Sequence, residues 1–176
     1  DPGDWQLTPG CTGGVLFNLR DVTPFGIRRG DQFRLDPPPS LKSWQYAVAY
    51  YEVKRVGAKD SVARPQDRAD VARFYATVLS TGTWNPIARQ LAHARSGSLS
   101  QNARALALLN MAMYDALIGV FDTKYHAPFW RPETAIRVAS ADGNPRTLED
   151  ATYGPFLSTP CFPSYPSPHA SAPSPA

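Results

Sequence analysis

The chain has 176 residues, 43% of them hydrophobic and 19% charged, with a formal net charge of +3 at neutral pH. That balance excludes a disordered chain, and the length suits one domain with a real core. The Lys and Arg surplus is small and spread along the chain without a run, which excludes a nucleic-acid patch and leaves small anionic ligands open.

Residues 1–39 are rich in Gly, Pro and Asp and close on Pro37, Pro38 and Pro39. They read as an extended, mostly non-regular segment laid over a domain. Proline totals 18 residues, about twice the usual share. Four helical stretches follow. Ser40 or Ser43 caps the first, over about 40–56, with Gly57 as its stop. The second, about 66–79, carries Val71, Phe74, Tyr75 and Val78 at the three-and-four spacing of an amphipathic helix. A shorter third, 84–94, places Pro86 in its first turn, where proline is tolerated.

The fourth stretch, about 100–121, contains ARALALLNMAMYDALIGVF and is apolar on nearly all sides, which predicts a central, buried helix. Asn110 and Asp115 within it argue against a membrane span, since charge at membrane depth is costly. A turn, a small helix from about Pro132, a polar loop at 142–145 and a Pro-rich end complete the chain. No strand pattern and no repeat is visible. The expected fold class is all-α: a helical bundle over 40–154, preceded by the extended segment 1–39 and followed by a loop and tail over 155–176.

Cys11 and Cys161 are too few for a disulfide scaffold and lack metal-ligand spacing. Two free thiols are the default reading, with one bond in an oxidising compartment as the alternative. No charged-then-apolar leader is visible, so the compartment stays open: a soluble chain, with secreted and periplasmic locations among the options.

Two segments carry candidate chemistry. In KYHAPFWRPETAIR, six residues separate Lys124 from Arg131, and Pro132 is suited to a first helical position. A guanidinium there adds a planar fork of donors to free backbone N–H groups, a combination that suits a tetrahedral oxyanion. In the closing loop, Ser167 offers a hydroxyl and His169 an imidazole that exchanges a proton near neutral pH. Taken singly, each is as well read as a solvated cation or an exposed tail histidine.

Together, Lys124 to Arg131–Pro132 and, about thirty residues later, Pro166-Ser167-Pro168-His169 resemble the first two motifs of the superfamily of vanadium-dependent haloperoxidases and type-2 phosphatidic-acid phosphatases. The surrounding FWRPETAIR, DGNP and TPCFPSYPSPHAS are similar to its bacterial haloperoxidase-like branch, as are DWQLTP, VTPF and DQFR near the start. The resemblance implies a haloperoxidase-type helical bundle. It implies Lys124, Arg131 and Ser167 as binders of vanadate or phosphate, and His169 as the acid–base group. Vanadate would be the cofactor of a haloperoxidase, with peroxide and halide as its partners and no nucleic acid or membrane. A phosphatase of the same superfamily and a non-catalytic helical remnant are the alternatives.

Two departures qualify that reading. The family's third motif, Ser-Arg followed by the histidine that bonds vanadate or phosphate, has no counterpart after His169, so no metal ligand is expected within these residues and the chain is expected to be incomplete and inactive. His93 and His126 do not replace it. Pro168 stands where the family has Gly, and proline supplies no N–H and fixes φ. Losing one oxyanion donor typically costs about 2.7–4 kcal/mol of transition-state stabilisation. The prolines of HASAPSPA fall where a helix should begin, which suggests an aberrant terminus. Asp115 either orients a cation or is a paired structural carboxylate, while Trp130, Tyr114, Phe121 and Phe129 read as packing.

Overall fold

The computed structural model describes residues 1–78 and 80–171. Six α-helices follow one another: α1 (Trp44–Gly57), α2 (Gln66–Thr77), α3 (Ser80–Ala94), α4 (Leu99–His126), α5 (Pro132–Arg137) and α6 (Pro168–Ser171). Two 3-10 turns stand at Phe17–Asp21 and Ala139–Ala141. Among the described residues there is no strand, only two isolated bridges, so the fold is all-α.

Local chemistry explains the helix limits. The Ser43 hydroxyl accepts the Tyr46 N–H at 3.1 Å and starts α1. At its other end the Arg64 guanidinium donates to the carbonyls of Val56 and Ala58, at 2.6 and 2.8 Å, replacing the partners a helix end lacks. Ser98 and Gln101 form a reciprocal capping box at the head of α4. Pro86 lies inside α3 rather than in its first turn, because the helix begins four residues earlier than the pattern suggested, at Ser80.

A core of Tyr46, Tyr50, Trp130, Ala135, Ile136 and Tyr153 joins α1 to α5. The 142–145 loop braces it. Asp142 accepts the Asn144 N–H at 2.6 Å and the Thr147 hydroxyl at 2.7 Å, and the Asn144 amide donates to Leu41 O at 2.7 Å and Ser43 O at 3.2 Å. Those polar side chains are buried and all paired, as buried polar groups must be.

Helix α4 runs a turn and a half beyond the expected end, which places Lys124 and His126 in its last turn. It is also less buried than its composition suggested. Its buried residues, Met113 to Lys124, lie in the second half, while Leu99 is 88% and Leu108 52% exposed. By length and composition it is apolar enough to cross a membrane. Yet Asp115 and Lys124 are buried within it and paired inside the protein.

The first 39 residues clasp that second half. Asp115 accepts three backbone N–H bonds, from Phe25 at 2.7 Å, Gly26 at 2.6 Å and Ile27 at 3.0 Å. Arg34 grips Asp122 with two parallel bonds of 2.7 and 3.0 Å. The backbone N–H of Trp5 donates to Pro128 O and that of Trp130 to Gly3 O, both at 2.8 Å. The cysteines are not free thiols: Cys11 and Cys161 form a disulfide with Cα atoms 5.5 Å apart. Sequence spacing could not show this, since 150 positions separate them. Closing a loop of that length stabilises a fold by about 5 kcal/mol in the chain-entropy picture.

Asp115 is thus structural, and its removal leaves three N–H groups without an acceptor. Asp115→Ala should lower the unfolding free energy by about 2–4 kcal/mol in urea titrations. Asp31→Ala, which removes an exposed partner of Arg29, should change it little.

Candidate functional site

Lys124 ends in a place closed to water. Its side chain is 0% exposed, and its ammonium donates to Pro163 O at 2.5 Å and Ser164 O at 3.0 Å. Arg131, the residue before α5, donates from its terminal nitrogen to Pro160 O at 3.1 Å. Its Nε is buried and has no partner. Phe162 lies beside both cations: its ring centroid is 4.9 Å from the Lys124 ammonium and 4.6 Å from the Arg131 guanidinium. An aromatic face attracts each cation, but it carries no charge to cancel theirs.

Among the described residues, no carboxylate lies within ion-pair distance of either group. Burial therefore dominates at both groups. Desolvation, and then the nearby Arg131 charge, brings the Lys124 ammonium down to about 7. Desolvation likewise lowers Arg131, to about 10, so it stays cationic at neutral pH. Two adjacent positive groups sheltered from water and lacking a counter-ion form a place where an anion is stabilised.

His169 stands apart from that pair. It is exposed, and its Nε2 lies 3.0 Å from the Tyr75 carbonyl of α2. A carbonyl only accepts, so this contact puts a proton on Nε2. The imidazole nonetheless borders the same groove of about 1060 Å³ that Arg131 lines. Ser167 does not. It borders a separate apolar cavity of about 320 Å³ with Tyr46 and Trp130, and its hydroxyl accepts the Ala170 N–H at 3.3 Å. Pro168 opens the short helix α6. As the first residue of that turn, Pro168 lacks an N–H that would have had no helical partner anyway. Residues 172–176 of that tail lie outside the described residues.

Sequence reasoning missed Phe162 and the carbonyls of Pro160, Pro163 and Ser164. A phenylalanine between Cys161 and Pro163 carries no pattern that announces a cation on its face. Trp130, 2% exposed, is core packing as expected.

The model of a family domain described as the VCPO second helical-bundle domain matches residues 104–175, a span that includes Lys124, Arg131, Ser167 and His169. The chain also superposes on a solved structure described as that of the first bacterial vanadium-dependent iodoperoxidase, with a TM-score of 0.77 and 26% sequence identity. Both likenesses point to the vanadium haloperoxidase superfamily. The superposition covers 98% of this chain but 42% of the iodoperoxidase chain, so this haloperoxidase-type bundle spans less than half the length of that relative. No curated protein matches significantly.

The unpaired burial of Lys124 has a measurable sign. An unfolded chain holds this proton up to pH about 10.4, whereas the folded chain holds it only to about 7. Between those values the unfolded state binds more protons, so stability rises with pH. Relative to Lys124→Met, the wild type should gain at least about 1 kcal/mol between pH 7 and 9 in urea unfolding. A pH-independent difference would contradict the desolvated ammonium.

Proposed function

We propose that this chain supplies the first two oxyanion-binding motifs of a vanadium-dependent haloperoxidase, holding vanadate for peroxide-dependent halide oxidation in longer proteins of the family. The observation that carries the reading is the pair of buried cations at Phe162 without a carboxylate. The orphaned Nε of Arg131 fits an oxyanion oxygen, since a buried donor without a partner is costly. Lys124 fits less directly, because two of its three ammonium N–H groups already go to carbonyls of the 160–164 loop.

In this reading Arg131 and Lys124 donate to the oxyanion and neutralise its charge, Ser167 donates its hydroxyl after a change of rotamer or loop position, and His169 holds or releases a proton beside it. Vanadate, when bound, supplies the centre that activates peroxide toward halide. Phosphate has the same tetrahedral shape and charge, so phosphate-ester hydrolysis uses the same cations. The iodoperoxidase likeness favours the oxidative reading. Pro168 offers no backbone N–H, so the loop brings one donor fewer than the family motif. The Cys11–Cys161 bond favours an oxidising compartment.

Millimolar orthovanadate should raise the melting temperature of the wild-type chain and leave that of Arg131→Ala unchanged. Equal shifts in the two proteins, measured by differential scanning fluorimetry, would remove the site from Arg131. No shift in either would remove it from the chain.

A further inference from the structure

The groove that Arg131 and His169 line continues between α1, α2 and the 153–160 loop. Its volume, about 1060 Å³, is large for a pocket that takes only a four-oxygen anion, since small-molecule sites commonly run to about 300–1,000 Å³. Its floor is apolar, with Val53 and Val56 from α1, Ala72 and Ala76 from α2, and Phe156 from the loop. The charges around that floor are uneven. Arg55, Arg64, Arg68 and Arg131 face Glu52 and Glu133.

Existing contacts sort these groups. Glu133 is already taken, by Arg137 at 2.9 Å and by the Thr159 hydroxyl at 2.6 Å. Arg64 is also taken, by the carbonyls of Val56 and Ala58, and it stacks on Phe156 at 3.6 Å. Among the described residues Arg55 has no carboxylate within ion-pair distance, and Arg68 reaches Asp67 only at 4.0 Å with both side chains about three-quarters exposed. What remains is Arg55, Arg68 and Arg131 around an apolar floor, opposed by Glu52 alone. The two outer cations come from different helices and border one space.

We propose that this groove binds a small organic anion, with an apolar or aromatic body on Val53 and Val56 and a sulfonate, carboxylate or phosphate on Arg55 and Arg68. Its role as the substrate groove of the oxyanion site rests on the proposed function, while its charge selectivity does not. Apolar contact supplies affinity there and the cations supply selection by charge, which is screened by salt.

Naphthalene-2-sulfonate and 2-naphthol, both fluorescent and alike in ring size, separate the two contributions. The wild-type chain should bind the sulfonate about tenfold more tightly than the neutral naphthol, and the difference should shrink in high salt. Arg55→Glu/Arg68→Glu should lose about tenfold in sulfonate affinity while naphthol changes by less than about twofold. The milder Arg55→Gln/Arg68→Gln pair should fall between, and it guards against a folding defect in the first. Equal binding of the two probes by the wild type, or unchanged sulfonate affinity in both double variants, would overturn the groove. The orthovanadate shift should persist in these variants. A wild type that binds sulfonate through Arg55 and Arg68 but ignores orthovanadate would keep the groove and reject the vanadate reading.

Discussion

A buried ammonium must be solvated by something, and here the carbonyls of Pro163 and Ser164 do it. Lys124 leaves α4 and enters a place without water, where its charge is tolerated only because two carbonyl dipoles and the face of Phe162 surround it. Those contacts also fix the 160–164 loop against the end of α4. The Ser164 N–H returns to Phe129 O at 2.9 Å, and the Arg131 guanidinium holds Pro160 O. The loop reaches the amino-terminal segment through Cys161, so three distant parts of the chain converge on one side chain.

A second buried charge does for the first 39 residues what Lys124 does for the closing loop. The carboxylate of Asp115 collects three consecutive N–H groups from 25–27, a segment with no helix or sheet of its own to satisfy them. An irregular segment therefore lies along α4 in one register, with Arg34 on Asp122 and the Tyr125 hydroxyl on Val15 O extending the clasp. The two charges have opposite signs and equivalent logic: each is paid in backbone dipoles rather than in a partner ion. That leaves Asp115 chemically spent, while Lys124 and Arg131 retain a net charge that no carboxylate among the described residues cancels.

Much of this was legible. The Ser43 cap, the α5 start at Pro132 and the all-α class follow from short-range rules that need only neighbours in sequence. The six-residue spacing of Lys124 and Arg131 was also visible in the sequence, and the structure sets both cations beside Phe162. The surroundings of Ser167 were not legible. It sits two residues from His169, yet the turn opened by Pro168 sends the two side chains to different cavities. The two uses left open for Asp115 were equally undecidable, since its acceptors' partners lie about ninety positions away.

What the sequence by itself determined is therefore the presence of α1 to α5, the Ser43 cap and the two motifs, each encoded by residues close in the chain. Only the tertiary structure decided that Cys11 meets Cys161 and that Phe162 lies against both cations, with no carboxylate among the described residues joining them. The physical reason is range. Caps and helical periodicity act over three or four residues, whereas the environment of a buried charge is set by whichever distant segments packing brings to it, and those segments carry no local mark of their destination.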